Sequence, residues 1–200
     1  MIELIKNIPY LICKIVIHWI SLVLGARAFG QNNIPLTGGA LIVSNHQSYM
    51  DPGFLSLGTS RPLHYLAKIE LFESNSLFKL LISSVNAVPL ERRQYSSEGI
   101  RKTIDYLSRG NLFIIFPEGT RTPDGKIYPF KPGMKFIASK AKVPIIPTRI
   151  RGAYKIWPKR SKLPTRLHPV SITYGKPIWP DKNISSQELC RQINEKVNEL

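Results

Sequence analysis

The chain has 200 residues, 43% of them hydrophobic, which suits one domain with a substantial core and leaves little room for a second. Its 28 Lys and Arg against 13 Asp and Glu give a formal charge of +15, so an anionic partner is expected: nucleic acid, a phospholipid surface or a phosphorylated substrate. The two cysteines, Cys13 and Cys190, fit neither a disulfide framework nor a metal spacing, which makes a reducing, intracellular setting the default.

In chain order, Ile8 to Leu24 is a mostly apolar run of 17 residues. As a helix it is roughly 25 Å long, against a hydrocarbon core of about 30 Å. Asn7, Lys14, His18, Ser21 and Gly25 share one helical face, so the run reads as a helix in the membrane interface or packed on the domain. A true span and a secretory signal ending at Ala26-Arg27-Ala28 are the other readings; Lys14 and His18 interrupt both, and Glu3 offsets Lys6. The organisation expected is an N-terminal membrane-interface segment over 1–30 and one catalytic domain over 31–200.

Ala40 to Val43 and Leu112 to Phe116 are continuous apolar runs, the pattern of strands buried on both faces. His64 to Ala67, Ala87 to Leu90, Val143 to Ile150 and Pro169 to Tyr174 read as further strands. Asp51-Pro52 reads as N-cap and first residue of a helix to about Leu57, and Ser74 to Ser83 as another helix. Ser97 to Ser108 is amphipathic with Gly110 as its C-cap, and Gly133 to Lys142 is a further helix. Ser185 to Glu188 is a capping box before the stripe Leu189, Ile193, Val197, Leu200. Strands alternating with helices predict an α/β domain with a mixed, largely parallel sheet.

Three polar clusters follow predicted strands, where α/β proteins build their sites. In Ser44-Asn45-His46-Gln47-Ser48-Tyr49-Met50-Asp51, Pro52 disfavours helical geometry at Asp51, so a turn can fold the carboxylate back onto His46. The imidazole then has one nitrogen held and one free to take a proton. Alone, the plainer reading is the stronger: Asp51 as a cap, His46 on a surface turn. Phe116-Pro117-Glu118-Gly119-Thr120-Arg121-Thr122 offers a guanidinium suited to phosphate beside a glycine that admits close approach, or else a solvated turn. Asn86 to Arg93 delivers two arginines, by themselves ordinary surface charge.

In this order the clusters resemble the glycerolipid acyltransferase family, especially the 1-acylglycerol-3-phosphate acyltransferases that make phosphatidic acid. His46 to Asp51 is similar to the family's H-x4-D motif, Ala87 to Arg92 to its second motif, Phe116 to Arg121 to its third, and Val143-Pro144-Ile145-Ile146-Pro147 to its fourth. One departure is Asn86, which stands where the second motif usually has Gly.

The resemblance implies attack by a lipid hydroxyl on an acyl thioester. An alcohol is far too weak an acid for an imidazole, ordinarily of pKa about 6.5, to ionise beforehand. Proton removal therefore accompanies attack, with His46 as base and Asp51 stabilising the imidazolium. It also implies that Arg92 (Arg93 as understudy), Glu118, Gly119, Thr120 and Arg121 bind the glycerol phosphate, Glu118 by orienting an arginine or the glycerol hydroxyl. Lys68, in a similar lysine segment, is either a further cation there or a surface residue. No cofactor is implied beyond acyl-CoA or acyl carrier protein as donor substrate. The partners are lysophosphatidic acid and a membrane phospholipid surface at the cytoplasmic face.

Arg151, Lys155, Lys159, Arg160, Lys162 and Arg166 form a second basic stretch interleaved with Tyr154 and Trp157, suited to lipid headgroups or simply to solvent. The rival class is a non-catalytic basic module for membranes or nucleic acid, but no nucleic-acid motif accompanies the charge and no nucleic acid is expected. A different lysolipid acceptor is the nearer alternative. Gly119 and Gly125 have five residues between them, one too many for a P-loop, and His18, His46, His64 and His168 are too scattered to suggest a metal.

Overall fold

The computed structural model describes residue 12 and residues 15–69, 86–90 and 97–200. The expected helix Ser74 to Ser83, Arg92, Arg93, Cys13 and the first eleven residues lie outside this set. Among the described residues seven strands make one sheet: β1 (Arg27–Phe29), β2 (Ala40–Ser44), β3 (Leu63–Lys68), β4 (Ala87–Leu90), β5 (Leu112–Ile115), β6 (Ile145–Arg151) and β7 (Ser171–Tyr174). Their order is β1-β7-β6-β2-β5-β3-β4, with every neighbouring pair parallel except β6 and β7. The helices are α1 (15–23), α2 (Asp51–Leu55), α3 (Ser97–Ser108), α4 (Met134–Ala141), α5 (Ala153–Ile156) and α6 (Ser186–Glu199).

Side-chain alternation along the strands divides the core in two. On one face Ala40 and Ile42 of β2, Leu112 and Ile114 of β5, and Ile146 and Ile150 of β6 pack with Leu24, Phe54, Leu55 and Ile156. On the other, Leu41, Val43, Phe113 and Ile145 pack with Leu107, Ile137, Leu189, Ile193 and Val197. Helices α1, α2 and α5 thus cover the first face, and α3, α4 and α6 the second. The fold is α/β, three-layered, with β2 dry on both sides; each buried Leu, Ile or Phe contributes about 1.5–3 kcal/mol to holding it.

Several local expectations shift. β1 lies inside the residues assigned to the N-terminal segment; three residues are too few to show a period. Met50, not Asp51, is the N-cap of α2, and Asp51 is its first residue. The carboxylate is taken by the preceding turn, so it does not cap the helix. Asn86 sits at φ 56, in the left-handed region a glycine would adopt, and Asn is among the side chains that tolerate it best.

In the described part of the N-terminal segment the spanning reading finds no support. No helix among the described residues is long and apolar enough to cross a membrane. The polar stripe is split: Ser21 is buried while His18 and Gly25 are exposed, and on the inward side Ile17 packs against Gly53 and Leu24 joins the core. Ile15, Val16, Trp19, Ile20, Leu22 and Val23 are exposed instead, up to 65% for Trp19 and 71% for Val23.

Candidate active site

Sheet register brings the first and third clusters together. Val43 of β2 pairs with Ile115 of β5, and His46 and Glu118 each lie three residues beyond that pair. The two loops therefore leave the sheet side by side at the carboxyl ends of parallel strands, the usual place for an α/β site. They are stitched by backbone: Thr122 N–H donates to the His46 carbonyl at 2.8 Å. Asn45, fully buried, extends the seam to the next strand, its amide donating to the Ile150 carbonyl at 2.9 Å and accepting from the Ile150 N–H at 2.8 Å. Gln47 reaches the other way, donating to the Gly125 carbonyl at 3.2 Å and accepting from Tyr154 N–H at 3.3 Å.

Held in this way, the turn closes on Asp51. Oδ2 of that wholly buried carboxylate accepts from Gln47 N–H at 2.6 Å, from Ser48 N–H at 2.8 Å and from His46 Nδ1 at 2.7 Å. A carboxylate only accepts, so Nδ1 carries the proton and Nε2 keeps its lone pair. The imidazole stacks on Phe116, centroids 4.0 Å apart and planes 14° apart, and retains 20% of its side-chain exposure. Ser48 is buried and its hydroxyl accepts from Met50 N–H at 3.3 Å, a turn contact.

Glu118 is engaged by backbone. Its two oxygens accept from His46 N–H at 2.8 Å and Tyr128 N–H at 3.2 Å, so it ties the His46 turn to the loop beyond the third cluster. Burial pushes this carboxyl up, opposed by those two hydrogen bonds and by His46. Gly119, at φ 74, and Thr120 are exposed beside it. A Cβ at Gly119 would lie 3.1 Å from Lys131 Nζ, which places a further cation there.

Arg121 lies flat on the ring of Tyr49, its guanidinium carbon 3.4 Å from the centroid, and Tyr49 meets Trp157 edge-on at 5.3 Å. Burial lowers the guanidinium pKa, while Tyr49 and Asp51 act to raise it. One terminal nitrogen, Nη1, is buried with no hydrogen-bond partner, and Nη2 is 3.5 Å from the Lys159 carbonyl. Lys68 ends β3, two strands from β2; Arg92 is outside the described residues. No group of three His, Cys, Asp or Glu among the described residues is arranged to hold a metal.

The structure thus brings His46, Asp51, Glu118, Gly119 and Arg121 into one site. Sequence reasoning missed Asn45, Gln47, Tyr49, Phe116, Lys131 and Trp157. Tyr49 was within reach as the aromatic residue inside H-x4-D; the others depend on strands far apart in sequence.

The family model described as acyltransferase matches residues 26–151, which span the first and third clusters and every strand of the sheet but β7. The chain belongs to the acyltransferase family. This acyltransferase is 32% identical over 174 residues to the chloroplastic 1-acyl-sn-glycerol-3-phosphate acyltransferase of Brassica napus, a match covering 85% of this chain and 49% of that one. The chain thus spans about half the length of that plant relative. It is 27% identical over 183 residues to the 1-acyl-sn-glycerol-3-phosphate acyltransferase of Bacillus subtilis, covering 88% of each. Among solved structures, it is similar to the 1-acyl-sn-glycerophosphate acyltransferase of Thermotoga maritima, with a TM-score of 0.79 and 32% identity, over 96% of this chain and 76% of that one.

Proposed function

We propose that this acyltransferase moves a fatty acyl group from a thioester to the free hydroxyl of 1-acylglycerol-3-phosphate, giving phosphatidic acid. The observation that carries the reading is the His46–Asp51 pair, bonded at 2.7 Å, beside an arginine whose Nη1 has no partner. The acceptor named for the relatives is a phosphorylated glycerol, and a guanidinium with a vacant donor suits a phosphate oxygen.

In the reaction the acceptor oxygen attacks the thioester carbonyl as its proton passes to His46 Nε2. Asp51, through Nδ1–H, stabilises the imidazolium that forms. The carbon–sulfur bond then breaks, and the departing sulfur takes the proton back from the imidazolium. The products are the diacylated glycerol phosphate and a free thiol, with His46 neutral again. The thioester is already activated, so no covalent acyl-enzyme is needed. Arg121 and Lys131 hold the phosphate, Gly119 and Thr120 border it, and Arg92 and Lys68 supply further cations. Glu118 is a positioning residue that sets the His46 backbone.

Helix α1 rests on the phospholipid surface at the cytoplasmic face. Its outward apolar side chains and inward Ser21 are the reverse of a water-facing helix, and a bilayer interface satisfies that arrangement. The donor is acyl-CoA or acyl carrier protein, and no cofactor takes part.

The decisive experiment is thiol release by purified protein with acyl-CoA and acyl carrier protein donors against a panel of lysolipids. His46→Ala should lower kcat by about 10²–10⁴-fold while the fold and membrane recovery are retained. Near-full turnover by that folded variant would remove His46 as the base.

A further inference from the structure

The basic segment that follows β6 is not part of the reacting constellation, yet the structure sets it against the site. From Gly125 to Pro180 the sequence contains no acidic residue. Lys155, Lys159, Arg160, Lys162 and Arg166 are all exposed, and none forms an ion pair with a described residue. Among these cations stand two leucines, Leu163 and Leu167, exposed to 71% and 74%. The segment is ordered locally: Trp157 Nε1 donates to the Ser161 carbonyl at 3.1 Å, and Thr165 N–H to the Ile156 carbonyl at 2.8 Å.

Its placement is set by two contacts. At its start, Trp157 meets Tyr49 and so backs the ring beneath Arg121. At its end, the Val170 carbonyl accepts from Arg27 N–H at 2.9 Å, a few residues past α1. The Ile17 side chain of α1 in turn rests on Gly53 of α2. Leu24, Ile156 and Trp157 belong to the same side of the sheet. The segment and α1 therefore both contact the stretch from the His46 turn into α2, at Tyr49 and at Gly53, on the same side of the sheet.

We propose that residues 157–168 form a second membrane contact that binds an anionic phospholipid bilayer, its cations at the headgroups and Leu163 and Leu167 inserted among the acyl chains. The two leucines set among these cations give the segment the mixed basic and apolar surface that a membrane interface takes. Basic residues near an anionic leaflet each strengthen binding about fivefold, an attraction confined to a Debye length. Because the segment backs Tyr49 and Arg121, the contact sets the acceptor site against the leaflet that holds a lysolipid. The inference deepens the acyl-transfer reading for the turnover measurement only; lipid binding stands without it.

The test uses the full chain, Arg160→Ala/Lys162→Ala and Leu163→Ser/Leu167→Ser, with flotation on phosphatidylcholine vesicles with and without phosphatidylglycerol. The charge variant should lose about 25-fold in partition onto the anionic vesicles at low salt and little onto the neutral ones. The leucine variant should lose on both, and wild-type binding should weaken with salt. Turnover of lysophosphatidate embedded in anionic vesicles should fall with partition, while that of a water-soluble short-chain lysophosphatidate stays unchanged. Unaltered, salt-insensitive flotation of both variants overturns the proposal, as does equal loss on the soluble acceptor. Loss confined to the carrier-protein donor, with flotation intact, assigns the surface to that acidic protein and likewise overturns it. If wild type turns over neither acceptor, the acyl-transfer reading fails while flotation still decides the membrane contact.

Discussion

Arg121 is held by a ring face on one side and, at Nη1, by nothing. A cation over an aromatic ring is worth about 0.5–2 kcal/mol, more as water is excluded. Tyr49→Ala should therefore leave kcat nearly intact and raise the KM for lysophosphatidate several-fold, while Tyr49→Phe, which keeps the ring, should lose less. Steady-state kinetics with acceptor varied check this, and a selective fall in kcat would refute it. Glu118 makes a prediction in pH. Its folded pKa is raised by burial, so its contribution to stability is fully present below the ordinary value of 4.5 and is lost as pH rises through the raised one. Glu118→Gln lacks that titration. The stability advantage of wild type over the variant should shrink as pH climbs from 4.5, read from denaturant midpoints; a difference independent of pH would contradict it.

At the scale of elements, the turn from β2 to α2 does the chemistry's positioning. Three N–H groups converge on one Asp51 oxygen, and Asn45 and Gln47 pin the turn to β6 and to the Gly125 loop. The far end of α2 is equally constrained. A Cβ on Gly58 would come within 2.1 Å of the Tyr174 ring, which is fully buried and donates its hydroxyl proton to the Leu55 carbonyl at 2.5 Å. That ring cannot swing aside without breaking the bond, so Gly58→Ala should destabilise the fold by about 1–3 kcal/mol. A thermal melt checks it; an unchanged Tm would mean that α2 shifts freely.

At the scale of the molecule, two helical layers are not equivalent. The layer of α3, α4 and α6 buries its apolar stripes, whereas the layer of α1, α2 and α5 leaves the apolar side of α1 outward. Leu22→Asp/Val23→Asp adds charge to side chains exposed to 57% and 71%. The Tm should hold within a few degrees while recovery with membranes falls sharply, measured by fractionation and flotation. Recovery equal to wild type would remove α1 from the interface.

Much of this architecture is local enough to be legible in the sequence. The apolar runs at 40–43 and 112–116 became the strands β2 and β5, because a strand covered on both faces is almost wholly apolar. Ser97 to Ser108 became α3 with its expected bounds, and Ser185 accepts from Glu188 N–H as its capping pattern requires. The turn that folds Asp51 onto His46 was left open by the local sequence, which by itself favoured a cap and a surface turn; the likeness to H-x4-D pointed to the pair, and Asp51 makes it as the first residue of α2. What only the tertiary structure decided is whatever depends on strand order. The register of β2 on β5 puts Glu118 under the His46 backbone, although a carboxylate beside an arginine in sequence suggests a ligand contact. The stacking of Tyr49 between Arg121 and Trp157 joins three distant segments. The outward face of α1 was hidden for the same reason: periodicity locates a stripe on a helix, but only the packing partner determines which side of it meets the core.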